Sequence, residues 1–174
     1  MDFFAHGLWA GAAGLAANHK LKRKLRFGWV VLWGVFPDAF AFCPTAVVLL
    51  WNRFFGEPVT ARLLFSRAVR GALPMVVWPE KLYPLSHSLI VFAVVFALVW
   101  WLRRPVLVML AWPLHILMDI PTHGGGVYRT PFLWPLSSFQ FSGIWWSRRW
   151  FMILNYSCLV AAYLGLLLWS KRRD

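Results

Sequence analysis

The sequence predicts an all-α fold: a single integral-membrane domain over 1–174, built as a polytopic helix bundle of about five transmembrane segments with a broken second helix. Three observations predict it. The chain is 60% hydrophobic with 13 tryptophans and a mean hydropathy of +0.61, far from a soluble average. Its apolar residues fall into five stretches, each near the length that crosses a bilayer as a helix. Its basic residues sit in short runs between those stretches, as membrane topology signals do. A chain of 174 residues has room for one such domain.

The first stretch, 3–18, opens Asp2-Phe3-Phe4 with no basic segment before it and ends in a basic loop, so it reads as a retained span rather than a cleaved signal. Gly7, Ala10, Gly11 and Gly14 repeat small residues at close to four-residue spacing, which predicts close backbone packing against another helix. The second stretch, 27–51, contains Pro37 and Pro44; Pro37 removes a backbone donor, so the span is expected to kink or break near its middle. Residues 52–85 carry Arg53, Arg62, Arg67 and Arg70, then Pro74, Pro79 and Pro84, and read as an interfacial helix followed by a re-entrant loop. Two further spans are expected at 86–102 and 105–121. An irregular stretch from 122 to 149 holds Gly124 to Gly126, Pro131, Pro135 and many aromatics, and a last span covers 150–169.

Eighteen Lys and Arg against six Asp and Glu give +12. In a soluble protein that balance suggests nucleic acid, but the longest basic run, His19 to Arg26, is one short loop, and no basic stripe is present for a nucleic acid to track. Membrane lipid is the expected partner. Five alternating spans place the tight basic clusters at 19–26, at Arg103 with Arg104, and at Lys171 to Arg173 on one face, which the positive-inside rule makes cytoplasmic. The bias is modest, because Lys81, Arg129, Arg148, Arg149 and the four arginines Arg53, Arg62, Arg67 and Arg70 fall on the other side. The expected setting is the inner membrane of a cell, N-terminus outside. Trp101, Trp145 and Trp146 read as interfacial anchors, and Cys43 and Cys158, without CxxC spacing, as small buried hydrophobes.

His6, His87, His115 and His123 lie in or at the ends of apolar spans, as do Asp38 and Asp119. Ionisable groups there are expensive, which makes function the default reading. Counting about 1.5 Å of rise per residue from the nearest basic loop, His6, Asp38, His87, His115 and Asp119 lie roughly 17 to 24 Å up, at one level nearer the non-cytoplasmic face. His115 and Asp119 share a helix face at four-residue spacing, and His123 follows on that face if the helix passes Pro121. Imidazoles and carboxylates converging without cysteine suit a divalent metal, zinc first and manganese or iron next, in a hydrolytic rather than a closed structural site. Taken singly, His6 or His123 also reads as a hydrogen-bonded packing residue, and Asp38 as a helix cap. For the His115 and Asp119 pair, a proton relay is the main alternative.

"FPDAF" at 36–40, "SHSL" at 86–89, "HILMD" at 115–119 followed by "PTH", and "PFLWPLS" at 131–137 resemble the membrane-bound metal-dependent hydrolases, a family similar to zinc-dependent phospholipases C. The likeness lies in the order and spacing of the motifs and runs from His6 to the last loop. It implies His6, Asp38, His87, His115 and Asp119 as metal ligands. Many members carry His-Arg-x-x-Thr-His-Ser where this chain reads Leu82-Tyr83-Pro84-Leu85-Ser86-His87-Ser88, and His123 is the candidate to replace the missing nitrogen. Residues and resemblance together lead to the expectation of a hydrolase of a phosphoester such as a phospholipid headgroup. Asp38 or Asp119 is the candidate catalytic base and Arg129 a candidate phosphate contact. A non-catalytic membrane protein with a metal- or proton-handling site is the alternative; a transporter would show repeated halves.

Overall fold

A computed structural model describes residues 1–21, 24–56, 74–102, 107–124 and 129–171, and among these residues there is no strand. Helix α1 spans Phe3–Asn18. The Asp2 carboxylate starts it by accepting from the amides of Phe4 and Ala5 at 3.1 and 3.0 Å, which satisfies donors the first turn leaves free. Asn18 ends it and ties the turn into α2, donating to the Leu25 carbonyl at 2.9 Å and accepting from the Leu25 amide at 2.6 Å.

Helix α2, Phe27–Phe55, packs along α1 at a distance only small residues allow. A Cβ added to Gly34 would overlap the Cβ of Ala10, and neither atom can swing away because each is fixed to its backbone. Gly34→Ala is therefore expected to force the two helices apart, at about 1–3 kcal/mol of stability. Gly28→Ala, where an added Cβ meets nothing within 4 Å, serves as the neutral control. Thermal midpoints of the detergent-solubilised variants check this, and equal midpoints would refute the close approach.

The second helix is not broken. α2 continues through Pro37 and Pro44 as one helix. Proline's φ is compatible with helix, and its cost is a lost backbone bond and a crowded carbonyl one turn earlier. In the turn before Pro37 the Gly34 carbonyl accepts from His115 Nδ1 at 2.7 Å, which ties α2 to the rest of the bundle at this point. The break falls elsewhere. α3, Pro74–Ser86, and α4, Leu89–Leu102, meet at an elbow of 63° between Trp78–Ser86 and Leu89–Leu102. The proline-rich stretch expected as a re-entrant loop is thus helical from Pro74 onward, and α3 packs against α2. Arg62, Arg67 and Arg70 of the expected interfacial helix lie outside the described residues.

A 3₁₀ turn at Leu107–Leu110 leads into α5, Ala111–Thr122, which packs against α2 and α1. Phe92, Met109, Trp112 and Ile116 form the core between α4, α5 and α2, with Trp33 and Phe36 against them. α6, Arg149–Lys171, runs beside α1 in the same direction. Near the start of α1, Tyr156 donates to Asp2 at 2.9 Å and Trp9 Nε1 to Asn155 Oδ1 at 2.9 Å; at its end, His19 stacks on Trp169 with centroids 4.4 Å apart. The basic ends of α1 and α6 therefore share one end of the bundle.

By length and composition, α2 and α6 are each able to cross a membrane, and the bent α3–α4 pair makes a third if counted as one span. The other two expected segments are shorter helices, 16 residues in α1 and Leu107–Thr122 around α5. Large apolar side chains such as Phe54, Trp101 and Leu168 point outward, as lipid contact allows. Cys43 and Cys158 are free thiols on this outer surface, not buried. In lipid a small apolar side chain is at home facing outward, so apolar context alone does not bury it.

Candidate metal centre

His115 and Asp119 project from one face of α5, Asp38 comes from α2 just after Pro37, and His87 occupies the elbow between α3 and α4. Their donor atoms converge. His115 Nε2 lies 3.2 Å from His87 Nε2 and 3.2 Å from Asp119 Oδ2. Asp119 Oδ2 is 3.5 Å from His87 Nε2, and Asp38 Oδ1 is 3.4 and 3.7 Å from the Nε2 atoms of His87 and His115. One donor atom from each of the four lies within 4.8 Å of every other. Donors held about 2.0–2.1 Å from a common tetrahedral ion stand about 3.3–3.4 Å apart, so the five measured edges have the spacing such an ion requires.

The protons are arranged to leave lone pairs at the centre. His115 Nδ1 faces the Gly34 carbonyl at 2.7 Å, and a carbonyl only accepts, so Nδ1 carries the proton and Nε2 of the neutral ring is bare. His87 Nδ1 likewise faces the Tyr83 carbonyl at 3.2 Å and the Ser86 hydroxyl at 2.9 Å. The elbow holds this ring in place: it stacks on Tyr83 at 3.8 Å, and Trp112 Nε1 donates to the Ser86 carbonyl at 2.6 Å. Backbone acceptors behind both rings fix their orientation as outer partners of metal-binding histidines do. Two bare nitrogens and two carboxylates facing one another repel unless a cation lies between them, so the residues present fit a divalent ion. Asp119 Oδ2 has no hydrogen bond of acceptable geometry despite its close neighbours, as expected when those neighbours point at a shared point rather than at it.

Burial is nearly complete. His87, His115 and Asp119 are closed off from solvent, whereas the Asp38 side chain keeps 15% of its surface exposed and marks the open side.

His6 and His123 come to the other oxygen of Asp119. His6 Nε2 is 2.9 Å from Oδ1, with its ring stacked on His115 at 3.6 Å, and neither His6 nitrogen has a hydrogen bond. His123 Nδ1 is 3.2 Å from Oδ1 and 3.2 Å from the Asp119 carbonyl. The Met1 amino group is 2.5 Å from the same oxygen and 3.0 Å from Thr122 Oγ1. Asp119 is therefore two-sided, with Oδ2 on the four-residue cluster and Oδ1 on two histidines and an amine. Arg129 is half-buried with its Nε enclosed and unbonded, and it makes no ion pair with Asp38 or Asp119.

Gly34, Tyr83 and Ser86 were not among the residues singled out from the sequence. Gly34 and Tyr83 act through backbone carbonyls, which leave no mark on residue type; only the hydroxyl of Ser86, next to His87, offered a signal. Comparison with protein-family models, with curated proteins and with solved structures finds no match to this chain, so the geometry of the cluster carries the functional argument.

Proposed function

We propose that this protein is a membrane-embedded, metal-dependent hydrolase of a phosphoester, with zinc as the ion and a phospholipid headgroup as the substrate. The observation that supports it is the convergence of His87, His115 and Asp119 at the spacing a metal ion needs, with Asp38 beside them at the same centre. Nitrogen and carboxylate donors without thiolate suit zinc, with manganese or iron next. A bound divalent ion supplies a Lewis acid for a phosphoryl oxygen and brings the ionisation of water near neutral pH.

The chain's own residues do the rest. His87 and His115, locked by carbonyls behind them, keep their lone pairs inward. Asp119 would hold the ion through Oδ2, with His6 and His123 lying against Oδ1. Asp38, which reaches the open side, is the carboxylate placed to accept a proton from water, and Arg129 lies in the following loop as a contact for phosphate. The test is cleavage of a panel of phospholipids and soluble phosphoesters by zinc-loaded protein, abolished by chelation and restored by zinc. If loaded protein cleaves none of the panel, the site is one that handles metal without hydrolysis.

We further place the chain in the inner membrane as five spans, N-terminus outside, with the site near the non-cytoplasmic face. After replacement of Cys43 and Cys158, a cysteine at the exposed Gln140 is expected to react with an impermeant thiol reagent from outside intact cells, and one at Lys20 is not. The opposite pattern would put the site on the cytoplasmic face.

A further inference from the structure

Between Arg129 and Arg148 the chain runs from Thr130 to Ser147 without one Asp, Glu, Lys, Arg or His. A loop in water rarely lacks charge over such a length, and the loop at the other end of the bundle, His19 to Arg26, is dense with it. The charge-free segment is not helical, and its large apolar side chains face outward: Trp134, Leu136, Phe139, Phe141, Ile144 and Trp145 are all exposed, Leu136 to 77%. Unpaired loop backbone is excluded from the hydrocarbon core, and a patch of exposed aromatics is costly in water. The headgroup layer, where Trp rings collect, satisfies both conditions.

The segment is also fastened at both ends to the metal centre. Near its start, the Leu89 amide donates to the Phe132 carbonyl at 2.9 Å and Ser88 Oγ donates to the Trp134 carbonyl, both at the elbow that carries His87. Near its end, the amides of Gly143, Ile144 and Trp146 donate to the carbonyls of His123, Pro121 and Thr122 at 3.3, 2.8 and 3.1 Å, closing the end of α5 just beyond Asp119. Gly124 and Gly143 meet so closely there that a Cβ on either would collide with backbone. The segment thus crosses from the His87 side of the centre to the Asp119 side.

We propose that residues 134–145 are a lipid-docking surface seated in the headgroup layer, flanked by Arg129, Arg148 and Arg149 on lipid phosphates, and that through it the centre draws its substrate from the bilayer. The surface is continuous with the lipid-facing α6, and its flanking arginines complement anionic headgroups. The substrate class, a phosphoester of a membrane lipid rather than a soluble one, rests on the hydrolase reading; the docking surface does not.

The experiment has two arms, both on the full chain with Cys43 and Cys158 replaced. In the first, a nitroxide on Phe139→Cys is examined in nanodiscs of phosphatidylcholine and phosphatidylglycerol, by collision with oxygen and with a water-soluble nickel complex. Leu164→Cys is the lipid-facing reference and Lys20→Cys the aqueous one. The label at 139 is expected to collide with nickel clearly less than the one at Lys20 and more than the one at 164, as a position in the headgroup layer does. A label that collides with nickel as freely as the one at Lys20, or one shielded only through spin coupling to a second copy of the chain, overturns the docking surface. In the second arm, Leu136→Asp combined with Phe139→Asp is expected to lower cleavage of vesicle phospholipid at least tenfold, with metal content and cleavage of a water-soluble phosphodiester unchanged. Equal losses on both substrates overturn the substrate route. Absence of any cleavage by wild type ends the hydrolase reading and the substrate route with it, while the nitroxide result still decides the docking surface.

Discussion

Protein purified without chelator and supplied with zinc is expected to retain at least one ion per chain after desalting, and His115→Ala is expected to retain none. The effect is large because His115 does several things at once. Its Nε2 forms two of the short edges of the cluster, 3.2 Å to His87 and 3.2 Å to Asp119, and its Nδ1 bond to Gly34 ties α5 to α2. Loss of an outer hydrogen-bond partner alone costs a metal site about 10- to 100-fold in affinity, so loss of the donor itself should exceed about 100-fold. Asp119→Ala should do the same, and it also leaves His6 and His123 facing an empty position. Metal analysis by mass spectrometry on desalted samples measures both. Wild type that stays metal-free with zinc supplied would end the hydrolase proposal at its root.

The second large effect is expected from Asp38→Asn. The substitution keeps the shape of the side chain and removes its charge and its capacity to accept a proton. Asp38 stands apart from its partners: it is the one donor of the four whose side chain is not fully enclosed, and its 3.4 and 3.7 Å edges are on average the longest of the cluster. Those features suit a carboxylate that serves the reacting water more than one needed to hold the ion. Turnover is therefore expected to fall on the order of a hundredfold or more. Zinc content measured on the same sample separates the two roles. Turnover lost with zinc retained assigns Asp38 to proton transfer, and turnover lost together with zinc makes it a ligand only.

Much of this arrangement was legible in residue types, and the places where it was not share a cause. The apolar runs located α1, α2, α4, α5 and α6, since hydropathy over a span's length is a property of composition. His115 and Asp119 were legible as a pair because four residues is one helical turn. The small residues of α1 announced a close helix contact, though not that Gly34 was its partner. Pro37 misled because its φ suits a helix and the fate of the freed carbonyls depends on neighbours far along the chain. Pro79 and Pro84 lie inside a helix for the same reason, and the bend falls just after it, at the elbow. Depth alone placed His6 and His123 at the level of the other donors but could not show that they reach the far oxygen of Asp119. That distinction depends on the rotation of α1 and on where α5 stops, both set by packing. Apolar context did not reveal that Cys43 and Cys158 lie on the outer surface, because a helix able to cross a membrane can be apolar on every face.

The donors come from three separate parts of the chain: α2, the α3–α4 elbow and α5. During synthesis Asp38 enters the bilayer long before its partners exist. Until the α3–α4 elbow has been made and has docked, that carboxylate lies in a helix without the nearest imidazole of the finished cluster, that of His87. On the proposed reading an ion could load only once α5 is in place, because His115 and Asp119 both come from it. A chain truncated before the elbow would carry Asp38 in an apolar helix with none of the other three cluster residues present.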